Sequence, residues 1–103
     1  MGFTLDDLDR IIGERAGSDP GKSYSAQLLN EGTSRCARKF GEEALELVIS
    51  ALETDRAGTR NEAADVLYHL LILLRASDIS LQEVMDELKT RTAQSGIEEK
   101  QSR

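Results

Sequence analysis

Residues 34–76 read SRCARKFGEEALELVISALETDRAGTRNEAADVLYHLLILLRA, and the spacing of their apolar and acidic positions decides the fold. Each residue of an α-helix advances by about 100°, so with Glu43 at zero the side chains of Ser50, Lys39, Glu46 and Glu42 all fall within about 100° on one side of it. Phe40, Ala44, Leu45, Leu47, Val48, Ala51 and Leu52 occupy most of the remaining circle. An ordinary surface helix carries an apolar arc of about 100°, so a helix over Ser34–Leu52 has to pack against more than one neighbour. Thr54 to Thr59 read as a turn, and Asn61–Ala76 as a further long helix, apolar almost all round after Val66.

The second of these helices repeats the acidic stripe of the first. With Glu62 at zero, Asp65 and His69 lie within about 60° of it, on a side that becomes apolar at Ile72 and Leu73. An ionised carboxylate bordering such a surface is costly without a partner. Lys39, Arg38, Arg35 and Lys22 are too few to neutralise Glu42, Glu43, Glu46, Glu62 and Asp65 and still serve a phosphate. Either i, i+3 acid pair alone is common on solvated helices. Two such pairs, Glu43/Glu46 and Glu62/Asp65, on adjacent antiparallel helices offer four hard oxygen ligands, which suits Mg²⁺ bound by carboxylates, waters and substrate phosphates. Such ions neutralise a polyphosphate, lower the pKa of an attacking water and stabilise a leaving pyrophosphate. A di-iron site would require Glu-x-x-His pairs, and neither Glu46 nor Glu62 has histidine three residues on. Two rival roles remain. Thr59-x-x-Glu62 has the form of a helix capping box, which would take Glu62 away from a metal. His69 is either a satisfied core histidine or a group that orients a carboxylate or touches substrate; Tyr68, on another side of the helix, reads as packing.

Outward from this segment, Thr4 with Asp7 forms a capping box opening a helix over Thr4–Ala16, and Gly17–Gly21 is a loop holding the single proline. Ser23–Asn30 is a short helix ending at Gly32, and Ser80 with Glu83 opens a last helix over Leu81–Ala93. No stretch alternates as a strand does. The class is all-α, a bundle of four to five helices in one domain over residues 1–93 with a polar tail at 94–103. A chain of 103 residues buries a modest core, so completion of the bundle by homodimerisation is expected. The sequence G-S-D-P-G-K-S at Gly17–Ser23 imitates a phosphate loop, but it is one residue short between its glycines and follows a helix where that motif needs a strand.

Of the net charge of −6, residues 42–65 carry −5, a block that repels nucleic acid backbones. The longest nearly apolar run, Val66–Leu74, is nine residues, far below the roughly 20 needed to cross a bilayer. Asp6, Asp7, Asp9 and Glu14 are the wrong charge for a secretory leader, so a cytoplasmic location with no membrane partner is expected. Cys36, the single cysteine, reads as a small buried apolar residue.

Glu42-Glu43-Ala-Leu-Glu46, fifteen intervening residues, then Glu62-Ala-Ala-Asp65 resembles the E-E-x-x-E, E-x-x-D signature of all-α, MazG-like nucleoside polyphosphate pyrophosphohydrolases. Ser23-Tyr-Ser-Ala-Gln-Leu-Leu29, Lys39-Phe-Gly-Glu-Glu43 and Ala64-Asp-Val-Leu-Tyr-His-Leu-Leu71 narrow the resemblance to the phosphoribosyl-ATP pyrophosphohydrolase family. That resemblance implies a homodimer that hydrolyses phosphoribosyl-ATP to phosphoribosyl-AMP and pyrophosphate with Mg²⁺, the second step of histidine biosynthesis. It also implies Glu43, Glu46, Glu62 and Asp65 as metal ligands and a proton acceptor among Glu42, Glu43 and Glu46. Lys22, Ser23, Tyr24 and Lys39 correspond to phosphate or nucleotide contacts, and His69 joins the substrate-contact set. The alternatives are a house-cleaning (d)NTP pyrophosphatase with the same metal site, or a non-catalytic helical dimerisation module.

Overall fold

The computed structural model describes residues 2–93, and the tail expected at 94–103 lies outside them. The described residues form five helices and no strand: α1 Leu5–Ala16, α2 Tyr24–Glu31, α3 Thr33–Leu52, α4 Arg56–Ala76 and α5 Leu81–Thr92. Both capping boxes form. Thr4 Oγ1 accepts from the Asp7 amide at 3.1 Å while the Asp7 carboxylate accepts from the Thr4 amide at 2.9 Å, and these bonds hold the Asp7 carboxyl below its ordinary pKa. Ser80 and Glu83 repeat the exchange at α5. Ser23 caps α2 through the Ala26 amide, and Gly32 turns the chain directly from α2 into α3 with φ of 101°, a conformation that strains any residue with a Cβ.

α3 and α4 form the antiparallel hairpin that carries most of the tertiary packing, and α1 and α2 lie across it. Ile12, Leu28, Cys36, Leu71, Ile72 and Leu81 make the core, drawn from all five helices. Cys36 is enclosed, its Sγ donating to the Leu28 carbonyl at 3.3 Å, and burial pushes its thiol pKa up. It is the inert core residue that the sequence suggested. α5 is anchored through Leu81 and otherwise packs lightly, leaving Ile79, Met85 and Leu88 partly exposed. The broad apolar arc of α3 is covered on one side only: Leu45 is 60% exposed, Val48 51%, Ile49 46% and Leu52 79%.

One expectation fails at the hairpin turn. α4 begins at Arg56, and the connector shrinks to Glu53–Asp55. Asp55, not Thr59, is the cap, accepting from the Gly58 amide at 3.0 Å. Thr59 lies inside the first turn and its hydroxyl bonds back to the Asp55 carbonyl at 2.7 Å, so the Thr59/Glu62 box does not form. Gly58 makes the earlier start possible, because a Cβ there would run into the Asp55 carboxylate. Thr54, with φ of 54°, is the apex of the connector. Glu43 and Asp65 each lie eleven residues from it, and Glu46 and Glu62 each lie eight. The hairpin therefore sets Glu43 level with Asp65 and Glu46 level with Glu62. Replacing the cap by Asp55→Ala is expected to cost about 1 kcal/mol of stability, and Thr59→Ala much less, as read from urea unfolding of the two variants.

Candidate active site

The acid stripes of α3 and α4 meet as the register requires. One carboxylate oxygen from each of Glu43, Glu62 and Asp65 lies within 4.8 Å of the others. Glu43 is buried, Glu62 half-buried, and Asp65 reaches solvent. Glu46 is exposed, stands level with Glu62 across the hairpin and acts directly on its carboxyl. Glu42, by contrast, is exposed and stands outside the cluster, felt only through the Lys39 ammonium.

The charges do not balance within the cluster. Burial acts to raise the Glu43 pKa, but the Lys39 ammonium 3.2 Å from its Oε1 more than offsets this, with Glu62 and His69 assisting, and the carboxyl is held below its ordinary value. The same contact raises the pKa of Lys39. Glu62 has no cation of its own. Desolvation first, and then the neighbouring Glu46 and Glu43 carboxyls, push its pKa up to about 7. Its Oε2 is enclosed and has no hydrogen-bond partner among the described residues. A buried acceptor in that state is costly, and a hard cation shared with Glu43 and Asp65 would satisfy it. Oxygens bound to one Mg²⁺ lie about 3–4 Å apart, so small side-chain rotations bring these three onto a common ion.

Beside the acids, α2 is tied to α4 by two side-chain bonds. Tyr24 Oη lies 3.0 Å from His69 Nε2, and His69 Nδ1 lies 2.7 Å from the Asp65 carbonyl. A carbonyl only accepts, so Nδ1 carries the proton and, in the neutral ring, Tyr24 donates to Nε2. Burial raises the Tyr24 pKa, which keeps its phenol protonated for this role. His69 is therefore the satisfied, buried histidine of the two readings, and it orients Tyr24 against the backbone of Asp65. The second bond joins Ser25 Oγ, fully buried, to Tyr68 Oη. Tyr68 thus does more than pack: its ring stacks with Tyr24 at 6.4 Å and lines a cavity of about 420 Å³ with Arg15, Ser18, Lys22, Ser23 and Tyr24.

Of the residues singled out from sequence, Glu43, Glu46, Glu62, Asp65 and Lys39 come together on the hairpin, and Lys22, Ser23 and Tyr24 gather in the cavity. Arg15 and Ser25 carry no site role in the sequence reading, and Tyr68 reads there only as packing. Arg15 looked like an ordinary cation in the last turn of α1, and only the S-Y-S and Y-H pairs, each with a hydroxyl to bury, hinted that α2 and α4 are bonded.

An all-helical chain that sets carboxylates from two antiparallel helices beside a basic cavity is equipped to handle a polyanion through a cation. The sequence profile described as phosphoribosyl-ATP pyrophosphohydrolase matches residues 5–92. A phosphoribosyl-ATP pyrophosphatase of Methylobacterium radiotolerans is 55% identical over 101 residues, covering 98% of this chain and 94% of its own. The protein of that name from Agrobacterium fabrum is 50% identical over 101 residues, with the same 98% and 94% coverage. Its counterpart from Rhizobium rhizogenes is 51% identical over 102 residues, covering 99% of this chain and 98% of its own. The chain belongs to the phosphoribosyl-ATP pyrophosphohydrolase family, and it is a hydrolase.

The raised Glu62 pKa has a signed consequence for the metal-free protein. A carboxyl near 7 when folded and about 4.5 when unfolded contributes stability fully present below pH 4.5 and lost as pH rises through 7. In chelator, the melting temperature of Glu62→Gln minus that of the wild type is expected to grow between pH 5 and pH 8, measured by circular dichroism.

Proposed function

We propose that this chain hydrolyses phosphoribosyl-ATP to phosphoribosyl-AMP and pyrophosphate in a Mg²⁺-dependent reaction, the second step of histidine biosynthesis. The observation that carries the metal site is the enclosed, partnerless Glu62 oxygen inside a three-carboxylate cluster. Glu43, Glu46, Glu62 and Asp65 are the ligand set. Mg²⁺ suits these hard oxygens and, when bound, supplies positive charge to the polyphosphate and to the departing pyrophosphate. Water adds at the anhydride that releases pyrophosphate, and its proton goes to a carboxylate among Glu42, Glu43 and Glu46. Glu46 is the best placed of these, since Glu43 is engaged by Lys39 and Glu42 stands apart. Lys39, already at the cluster, meets the phosphates once a metal takes over Glu43. Lys22, Ser23 and Tyr24 contact the nucleotide, and His69 acts on it through the Tyr24 hydroxyl.

The test is pyrophosphate release from phosphoribosyl-ATP beside ATP and a dNTP panel, with Mg²⁺ and with excess chelator. Metal-dependent release from phosphoribosyl-ATP is expected, and preference for dNTPs would overturn the substrate assignment. Glu43→Gln and Asp65→Asn are expected to lower kcat by at least about 100-fold with the far-ultraviolet dichroism unchanged.

The working unit we propose is a homodimer in the cytoplasm. Leu45, Val48, Ile49 and Leu52 form an apolar face on α3 that no described residue covers. The radius of gyration, 15.6 Å, exceeds the roughly 13 Å of a compact domain of about 100 residues. No described helix is long and apolar enough to cross a membrane. Leu45→Glu is expected to halve the mass seen by sedimentation equilibrium, and an unchanged mass would move the interface elsewhere.

A further inference from the structure

Two cations lie together away from the carboxylates of the hairpin, and their placement carries information about selectivity. Arg15, in the last turn of α1, and Lys22, at the foot of α2, line the same cavity of about 420 Å³, which has no carboxylate among its described lining residues. The acids nearest in sequence are committed elsewhere. Glu14 faces Arg10 at 3.9 Å, and Asp19 accepts from the Gly21 amide at 3.0 Å. Among the described residues neither Arg15 nor Lys22 forms an ion pair, whereas Arg10, Arg35, Lys39, Arg75 and Arg91 all do.

Hydrogen bonds tie one wall of this cavity to the helix that carries Glu62 and Asp65. Tyr24 is one of its walls, and the Tyr24 hydroxyl is bonded to His69, which is bonded to the Asp65 backbone. A second cavity with two cations, Arg56 and Arg60, opens at the α3–α4 turn among Ala51, Thr54, Thr59 and Ala63 and has no such link. Phosphoribosyl-ATP differs from ATP by a ribose bearing a phosphate monoester, a second anionic end separate from the anhydride that breaks. With the triphosphate at the carboxylates, that end needs a cationic site near them but not among them.

We propose that Arg15, with Lys22, binds the monoester phosphate of the phosphoribosyl group and so determines the preference for this substrate over simple nucleoside triphosphates. The inference rests on the function proposed above and adds to it a residue and a subsite. A guanidinium offers paired donors to a phosphate, and a site built to pair a charged group discriminates strongly against an analogue that lacks it.

Binding separates this from the function itself. Titration calorimetry of the chelator-treated full chain with phosphoribosyl-AMP and with AMP gives a ratio of dissociation constants. The wild type is expected to favour phosphoribosyl-AMP, and Arg15→Met to reduce that ratio about tenfold or more, with Arg15→Lys retaining part of it. Lys22→Met should act in the same direction and serves if Arg15→Met does not fold. Arg60→Met, in the unlinked cavity, should leave the ratio as it is. An unchanged ratio in both Arg15→Met and Lys22→Met, equal weakening of both ligands, or a collapse in Arg60→Met instead would each overturn the assignment. Absence of pyrophosphate release by the wild type would count against the proposed reaction, and the binding ratio would still report on Arg15.

Discussion

Like charges brought within a few ångströms of one another repel, and Glu43, Glu62 and Asp65 are brought together by the packing of the hairpin that carries them. Below the acids, Leu71 and Ile72 are almost completely enclosed, so α4 cannot roll away from the repulsion without exposing the core. The cluster settles its own charge unequally. Lys39 favours the ionised form of Glu43, whereas desolvation and its acidic neighbours raise the pKa of Glu62 to about 7. Desolvation and crowding by like charges favour the neutral form of a carboxyl, and they single out Glu62 as the position where a cation would gain most.

Much of the fold was legible because it depends on local chemistry. Thr4 with Asp7 and Ser80 with Glu83 close their caps within one turn, and Gly32 breaks the chain where a positive φ is needed. Thr59 with Glu62 has the same letters as those boxes and makes no box. Asp55 precedes it with an equally good cap, and Gly58 leaves room for that carboxylate, so the helix starts a turn earlier than the pattern suggested. The earlier start removes the rival role of Glu62 as a cap and leaves it to face Glu43.

The carboxylate cluster was readable from periodicity, because both acid pairs lie on long helices whose faces are fixed by their apolar residues. Its surroundings were not. Pairing of Ser25 with Tyr68 and of Tyr24 with His69 joins residues more than forty positions apart, and no helical period reports contacts between helices. Arg15 was invisible for the same reason: its meaning comes from the loop that brings Lys22 to it. The exclusion of Glu42 from the cluster also follows from three-dimensional placement, since on the helical wheel it sits at the edge of the same stripe.

The apex at Thr54 makes the connector between α3 and α4 a ruler. Surface turns usually accept an extra residue at little cost, yet one inserted between Glu46 and Glu62 would either bulge at the apex or rotate one helix by about 100° against the other. In the second case Glu62 and Asp65 leave the level of their partners, while every helix keeps its length, caps and hydropathy. The three residues Glu53–Asp55 lie outside the carboxylate cluster, but their number fixes which acids meet in it. Length conservation at this turn should therefore be stricter than conservation of the residues that compose it.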